Sequence, residues 1–195
     1  MTIGFNHLGR HGRLGNQMFQ YAGLRGIAAH KGYDFAIPPS DFNDEWNDHQ
    51  LFEAFKLIGL TKIEEIPGPY VQEAHFHFDQ NLFDNMPDGH NVYAYLQSTK
   101  YFEHIEEEIR EDFEFKNDIH LPCKEMMNTL KDPIALHVRR GDYIQNSDNH
   151  PPCPKEYYDT ALSKFDNDRT VVVFSDDPQW CGTEFPDDRF LISEG

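Results

Sequence analysis

The sequence predicts an α/β fold built on open parallel sheet, and three observations carry that expectation. The chain opens on a strand–loop–helix–strand pattern within residues 2–37. Beyond a polar stretch near residue 120, strand, helix, strand, helix and strand succeed one another, the alternation that produces parallel α/β layers. The segment 133–138 is a continuous, largely apolar run, as suits a parallel strand covered on both faces.

The elements follow in order. Residues 2–8 read as the first strand, and a glycine-rich turn comes next, His11-Gly12-Arg13-Leu14-Gly15-Asn16-Gln17. Met18, Ala22, Leu24, Ile27 and Ala28 recur at helical spacing, with Gly32 as the stop. Residues 33–37 read as the second strand, closed by Pro38-Pro39; 41–50 are loop-like, 51–60 a short helix and 91–97 a strand. From Lys100, the positions Phe102, Ile105, Ile109 and Phe113 describe an amphipathic helix, whose solvated face carries Glu106, Glu107, Glu108 and Arg110. Residues 117–132 are polar and read as a linker between two domains, 1–116 and 133–195. In the second, Pro154 suits the first turn of a helix bearing Tyr157, Tyr158, Ala161, Leu162 and Phe165. Residues 170–174 and 190–193 read as strands, with a short helix over 177–183.

Composition narrows the class. The chain has 195 residues, of which 38% are hydrophobic, with 16 Phe and 9 Tyr to fill a core. The net charge of -17, from 34 acidic and 17 basic residues, repels nucleic-acid phosphates, and no basic stripe interleaves with aromatics. Cys123, Cys153 and Cys181 lie far apart without a C-x-x-C pair, which favours reduced thiols in a cytoplasm over a disulfide framework. No apolar run approaches the ~20 residues that span a bilayer, and no signal-peptide pattern opens the chain. The reading is a soluble, cytoplasmic protein, with peripheral membrane contact left open.

Two loops carry chemistry. Gly12, Arg13, Gly15, Asn16 and Gln17 join a strand to a helix N-terminus, where free amides and the helix dipole favour anions. Arg13 adds a positive fork, and Asn16 and Gln17 offer hydrogen bonds to sugar hydroxyls. An ordinary strand-to-helix turn would read the same by glycine spacing, and the G-K-[ST] ending of a P-loop is missing. The second loop is His137-Val138-Arg139-Arg140-Gly141-Asp142-Tyr143, at the carboxyl end of a strand, where open α/β sheets place ligands. Two adjacent arginines suit a pyrophosphate, and one of them is expected to pair with Asp142. Arg10, Arg13, Arg139 and Arg140, four of the eight arginines, fall in or beside these loops. A third segment, Phe174-Ser175-Asp176-Asp177-Pro178-Gln179-Trp180, follows the next strand; Ser175 or Asp176 is a candidate helix cap, or a contributor to the same cleft.

Other patterns point nowhere specific. His75 and His77 lack a third ligand nearby in sequence, so no metal site is assigned. Asp166-Asn167-Asp168 spells a D-x-D, but it precedes a strand instead of following one, which directs it away from the cleft. Cys153 and Cys181 have no motif context.

Four ordered segments resemble glycosyltransferase family 11, the α-1,2-fucosyltransferases. They are Gly12 to Ala22, Tyr95-Leu96-Gln97-Ser98-Thr99-Lys100-Tyr101-Phe102, His137 to Tyr143, and Phe174 to Cys181. The resemblance implies a GT-B-like architecture of two Rossmann-like lobes, the first on the acceptor side and the second binding GDP-fucose. It maps the family's donor-binding signature onto His137, Arg139, Arg140 and Asp142 and its glycine-rich loop, facing the cleft from the first lobe, onto Gly12, Arg13, Gly15, Asn16 and Gln17, with Ser175 and Asp176 as further candidate donor contacts. It implies metal-independent, inverting transfer of fucose to the 2-hydroxyl of a galactose-containing glycan, with no cofactor beyond the donor. Arg139 and Arg140 would stabilise the departing GDP, and Asp142, Asp176 and His137 are candidate bases. The family's later donor-lobe motif is not found before Gly195, so the second lobe is expected to be incomplete and the chain a weak enzyme. Two alternatives remain at this point: a non-catalytic nucleotide-sugar-binding remnant, and a GDP-sugar transferase forming another linkage.

Overall fold

The structure is a computed structural model that describes residues 1–40 and 50–193, so most of the loop expected at 41–50 lies outside the described residues. Two compact units divide the chain, Met1–His120 and Leu121–Gly195.

The first unit runs β1 Thr2–Gly4, α1 Leu14–Lys31, β2 Asp34–Ile37, α2 Leu51–Ala54, β3 Lys62–Ile63, β4 Tyr70–Gln72, α3 Gln80–Asn85, β5 Asn91–Tyr93 and α4 Glu106–Asp112, followed by the start of α5 Asn117–Met127. Its five strands are all parallel, in the order β3-β2-β1-β5-β4. Ile3 pairs with Phe35, Gly4 with Asn91 and Val71 with Val92. The order reverses between β1 and β5, so the loops leaving their carboxyl ends open a crevice there.

Helix α1 is the spine of this unit. Tyr21, Leu24 and Ile27 are fully buried against Ile3, Phe5, Phe35 and Ile37. The helix stops where the sequence says it should: Gly32 takes φ 67°, and its N–H returns to the carbonyls of Ala28 and Ala29. Two interior glycines let neighbours approach closely. A Cβ on Gly23 would stand 2.7 Å from the Leu96 side chain, and one on Gly26 would overlap the Tyr101 carbonyl. Across the same helix the buried Asp112 carboxylate accepts hydrogen bonds from Tyr21 Oη at 2.6 Å, from the Gly59 amide at 2.7 Å and from Arg25. Burial, then the Asp112 hydrogen bond, raise the Tyr21 pKa above its ordinary value, so the phenol stays a donor.

The second unit holds β6 Ile134–Val138, α6 Gly141–Gln145, α7 Lys155–Leu162, β7 Val171–Ser175, α8 Pro178–Glu184 and β8 Phe190–Ile192, after the end of α5. Its strands are parallel in the order β6-β7-β8, with Leu136 beside Val173 and Val173 beside Ile192. Leu136, Val138, Val171 and Val173 pack with Tyr158 and Leu162 of α7 and Cys181 of α8. On the opposite face Ala135, His137, Phe174 and Leu191 are exposed, so β6 alternates instead of being apolar on both sides as expected.

Several expectations change in detail. The helix expected from Lys100 is broken: two short 3-10 turns, Thr99–Tyr101 and Glu103–Ile105, precede α4. The backbone amides of Tyr101, Phe102 and Ile105 bond to carbonyls three residues back, which tightens the chain over α1. The helix expected at 51–60 is the single turn α2, because Phe55 is extended and bridges Phe115, and Leu57 at φ 47° then turns the chain again. The polar stretch expected to be a linker forms α5, with Pro122 inside it and no residue buried.

Gly26→Ala is expected to destabilise the first unit by about 1–3 kcal/mol, the usual cost of overpacking. Gly15→Ala, where an added Cβ meets nothing within 4 Å, is expected to be neutral or slightly stabilising. Urea unfolding of the two variants checks the contrast; equal midpoints would remove the close α1–Tyr101 contact.

Candidate functional site

In the second unit, the loops leaving β6 and β7 meet through carboxylates and arginines. Asp176 Oδ1 accepts the amide hydrogens of Arg140 at 2.8 Å and Gly141 at 3.1 Å, while Oδ2 lies 3.2 Å from Arg139 Nη1. Arg139 Nη2 also donates to Asp142 Oδ1 at 2.6 Å, and the guanidinium sits 5.3 Å from the Tyr143 ring centroid. Arg139 is therefore held by two carboxylates, one on each η nitrogen. Gly141 is required by the closeness of this arrangement, since a Cβ there would lie 2.7 Å from Asp176 Oδ2.

Arg140 is held differently. Its Nε donates to Asp177 Oδ2 at 3.1 Å, and its guanidinium lies 4.1 Å from the centroid of Trp180, within cation–π range. Neither of its η nitrogens has a partner among the described residues. Asp177 also caps α8, accepting the Trp180 amide at 3.1 Å through Oδ1, while its own amide donates to Ser175 Oγ at 2.9 Å. One carboxylate thus fixes both the start of a helix and the plane of an arginine.

Partial burial would raise the Asp176 pKa. The amides of Arg140 and Gly141 and the Arg139 guanidinium outweigh that cost and bring it below its usual value. The carboxylate is ionised at neutral pH and fully committed.

In the first unit the glycine-rich turn follows β1. Gly12 adopts φ 86°, where L side chains are strained, and Asn16 packs over it. The Arg13 carbonyl accepts the amides of Asn16 and Gln17 at the start of α1. Asn16 Oδ1 accepts Gln97 Nε2 at 2.6 Å, which links the turn to the segment after β5. Gln17 is fully buried, and its Oε1 accepts the Gln50 amide at 2.9 Å.

With this geometry in place, the family model of glycosyl transferase family 11 matches residues 2–190. The chain belongs to glycosyl transferase family 11. Among its relatives, an α-1,2-colitosyltransferase of Escherichia coli is 26% identical over 87% of this chain and 68% of its own length. A galactoside 2-α-L-fucosyltransferase, Sec1 of Mus musculus, is 26% identical over 87% of this chain and 49% of its own. The O-antigen biosynthesis glycosyltransferase WbnK of Escherichia coli is 28% identical over 69% of this chain and 48% of its own length. The chain thus spans about half the length of the latter two relatives. Among solved structures, the fucosyltransferase NodZ from Bradyrhizobium aligns with all of this chain and 79% of its own at a TM-score of 0.62 and 14% identity. The fold is accordingly the GT-B-like α/β kind, with two Rossmann-like units.

The family 11 chain brings Arg139, Arg140, Asp142, Ser175 and Asp176 into one cluster of the second unit. The expected pairing of an arginine with Asp142 falls to Arg139. His137 lies on the exposed face of β6, beside Phe174 in register, with no hydrogen bond to the cluster. Gly12, Arg13, Gly15, Asn16 and Gln17 gather at the first unit's turn, where Arg13 and Gly15 are exposed and Gln17 points inward. The helix cap expected from Ser175 or Asp176 is Asp177 instead, because Asp176 is turned back onto the β6 loop.

Asp177 and Trp180 were not assigned roles from the sequence, although both stand in a matching segment; the Asp-x-x-Trp spacing of a cap and its third residue was the available signal. Asp168 of the D-x-D pairs with Lys131, before β7 begins. His75 and His77 lie in a bend, their rings 4.9 Å apart. Among the described residues no three His, Cys, Asp or Glu side chains gather as a metal site, and no helix is long and apolar enough to cross a membrane.

Asp176→Ala is expected to raise amide exchange at Arg140 and Gly141 about tenfold, the worth of a charge-assisted hydrogen bond of ~1.5 kcal/mol. The folded-state pKa of Asp176 lies below its usual value, so its contribution is complete above about pH 4. It is lost as pH falls through the lower folded value. Protection of the two amides should therefore decline on acidification in the parent and be flat in the variant; equal profiles would remove the assignment.

Proposed function

We propose that the chain is the acceptor-side lobe and a donor-binding portion of an inverting galactoside α-1,2-fucosyltransferase that draws on GDP-fucose. The observation that carries this is Arg140, anchored through Nε and its face while both η nitrogens remain uncommitted. A fork held in this way presents two parallel donors to a pyrophosphate. Support for the sugar and the α-1,2 linkage comes from relatives named as galactoside 2-α-L-fucosyltransferase and galactoside α-(1,2)-fucosyltransferase; support for GDP-fucose as donor comes from a crystal soaked with it of NodZ, which is named for the α-1,6 linkage.

In the proposed reaction an acceptor hydroxyl attacks the anomeric carbon of GDP-β-L-fucose, the bond to the GDP oxygen breaks, and configuration inverts. Negative charge grows on the departing diphosphate, where a preorganised guanidinium lowers the barrier most. Arg140 takes that role, and Arg139, saturated by Asp142 and Asp176, holds the loop in shape. Of the candidate bases, Asp176 is committed to two amides and an arginine. Asp142 bonds Arg139 through one oxygen and is otherwise exposed, which makes it the acceptor of the hydroxyl proton. The guanidinium supplies the charge that a metal supplies in other transferases, and Asp166 and Asp168 take no part.

Arg140→Lys is expected to weaken GDP binding by about tenfold or more, worth ~1.4 kcal/mol, and Arg139→Lys by less. Isothermal titration with GDP measures both, and unchanged affinity in the Arg140 variant would sink the pyrophosphate assignment. Any fucosyl transfer to β-galactosides, with GDP-colitose as a second donor arm, should persist in EDTA. Activity lost to chelation and restored by manganese would overturn the metal-free reading.

A further inference from the structure

A cavity lies in the first unit, at the crevice where the strand order reverses between β1 and β5. Its volume is about 280 Å³, just below the roughly 300–1,000 Å³ of pockets for drug-sized ligands, which suits a single sugar unit. His11 contributes from the turn after β1, Glu73 and Phe76 from the segment after β4, and Tyr93 and Tyr95 from β5 and its exit.

The walls are aromatic and mutually braced. The His11 ring meets Tyr93 edge-on at 4.9 Å and Tyr95 at 6.3 Å, and His7 stacks behind His11 at 5.8 Å. Phe76 lies 5.9 Å from Tyr95, and it is 73% exposed. A phenyl ring left in water on a chain of net charge -17 is a ready apolar platform beside polar groups.

The polar side of the cavity is equally specific. Glu73 Oε2 accepts the amides of Tyr95 at 3.1 Å and Leu96 at 3.3 Å, and Oε1 accepts Tyr101 Oη at 2.8 Å. These bonds hold Leu96 at φ 52°, a strained position for a non-glycine residue; such strain persists where the surroundings fix it and gathers at binding sites. Oε1 retains accepting capacity, while His11 Nε2, which has no hydrogen-bond partner among the described residues, is buried within the wall. No lysine or arginine lines the cavity, and the Glu73 carboxylate repels phosphate, so the fitting ligand is neutral, hydroxyl-rich and apolar on one face.

We propose that this cavity is an acceptor subsite that takes one hexose ring of a glycan, its C–H face on Phe76 and Tyr95 and its hydroxyls toward Glu73. Phe76 and Tyr95 are contact residues, and Glu73 positions the wall. The assignment of the sugar as acceptor rests on the transferase reading above, whereas sugar binding itself does not require the donor.

Saturation-transfer NMR on the full chain, with methyl β-D-galactoside and lactose and no nucleotide, tests the site. The parent is expected to transfer saturation to the sugar, Phe76→Ala to weaken binding about tenfold, and Phe76→Trp to retain it. GDP affinity of Phe76→Ala should equal that of the parent, and its exposed position keeps the fold intact. A parent that transfers no saturation, or sugar affinity unchanged in Phe76→Ala, overturns the inference. Sugar bound through Phe76 by a chain that shows no affinity for GDP would keep the subsite and sink the donor-binding reading on which the acceptor assignment rests.

Discussion

The Asp176 carboxylate is the interaction on which the second unit's chemistry depends. Parallel strands deliver their loops to one edge of the sheet, but they do not fix those loops to each other. Asp176, at the exit of β7, binds two consecutive amides and an arginine from the exit of β6. The β6 loop is thereby set by hydrogen bonds to backbone, which do not depend on side-chain rotamers. Asp177 continues the work by capping α8 and orienting Arg140 against Trp180. Adjacent acidic residues have separate tasks because successive strand-exit residues point to different sides.

The first unit solves a similar problem by different means. There the buried Asp112 ties α1, the Gly59 turn and the end of α4 together. Two glycines of α1 allow the Leu96–Tyr101 segment to lie against the helix. Glu73 then draws the amides of the same segment toward the β4 exit. Removing one partner of a buried carboxylate costs more than the bond itself, because the charge left behind is desolvated. Both units therefore use carboxylates internally, and part of the chain's large acidic content is structural.

What the sequence made legible is what short-range rules govern. The α1 stop at Gly32, the strand at 134–138, the β7 strand and the proline-led α7 follow from spacing and caps, and the structure has each of them. The arginine loop and the Arg139–Asp142 pair were readable because they lie within a few residues. The breaks after Lys100 and Ala54 were not, because the period of apolar residues is blind to a backbone bent by contacts with α1 and by the bridge between Phe55 and Phe115. Nor were the roles of Asp176, Asp177 and Glu73, whose partners stand 22 to 37 positions away. The aromatic cavity was invisible for the same reason: His11 and Tyr93 meet only once β1 and β5 are neighbours.

The charge balance of the arginine cluster argues about how it acts. Arg139 and Arg140 face Asp142, Asp176 and Asp177, two positive charges against three negative. Long-range attraction of an anionic nucleotide is therefore weak here, in a chain that is acidic throughout. What the cluster offers is direction: guanidinium planes fixed in advance by carboxylates and aromatic faces, with one fork edge left open. A fixed fork gains little from general attraction and much from a diphosphate that matches its geometry, and it stabilises most the state in which diphosphate charge is greatest. Carboxylates beside a proposed phosphate site, which look like a contradiction in sequence, are what convert two flexible arginines into one oriented pair of donors.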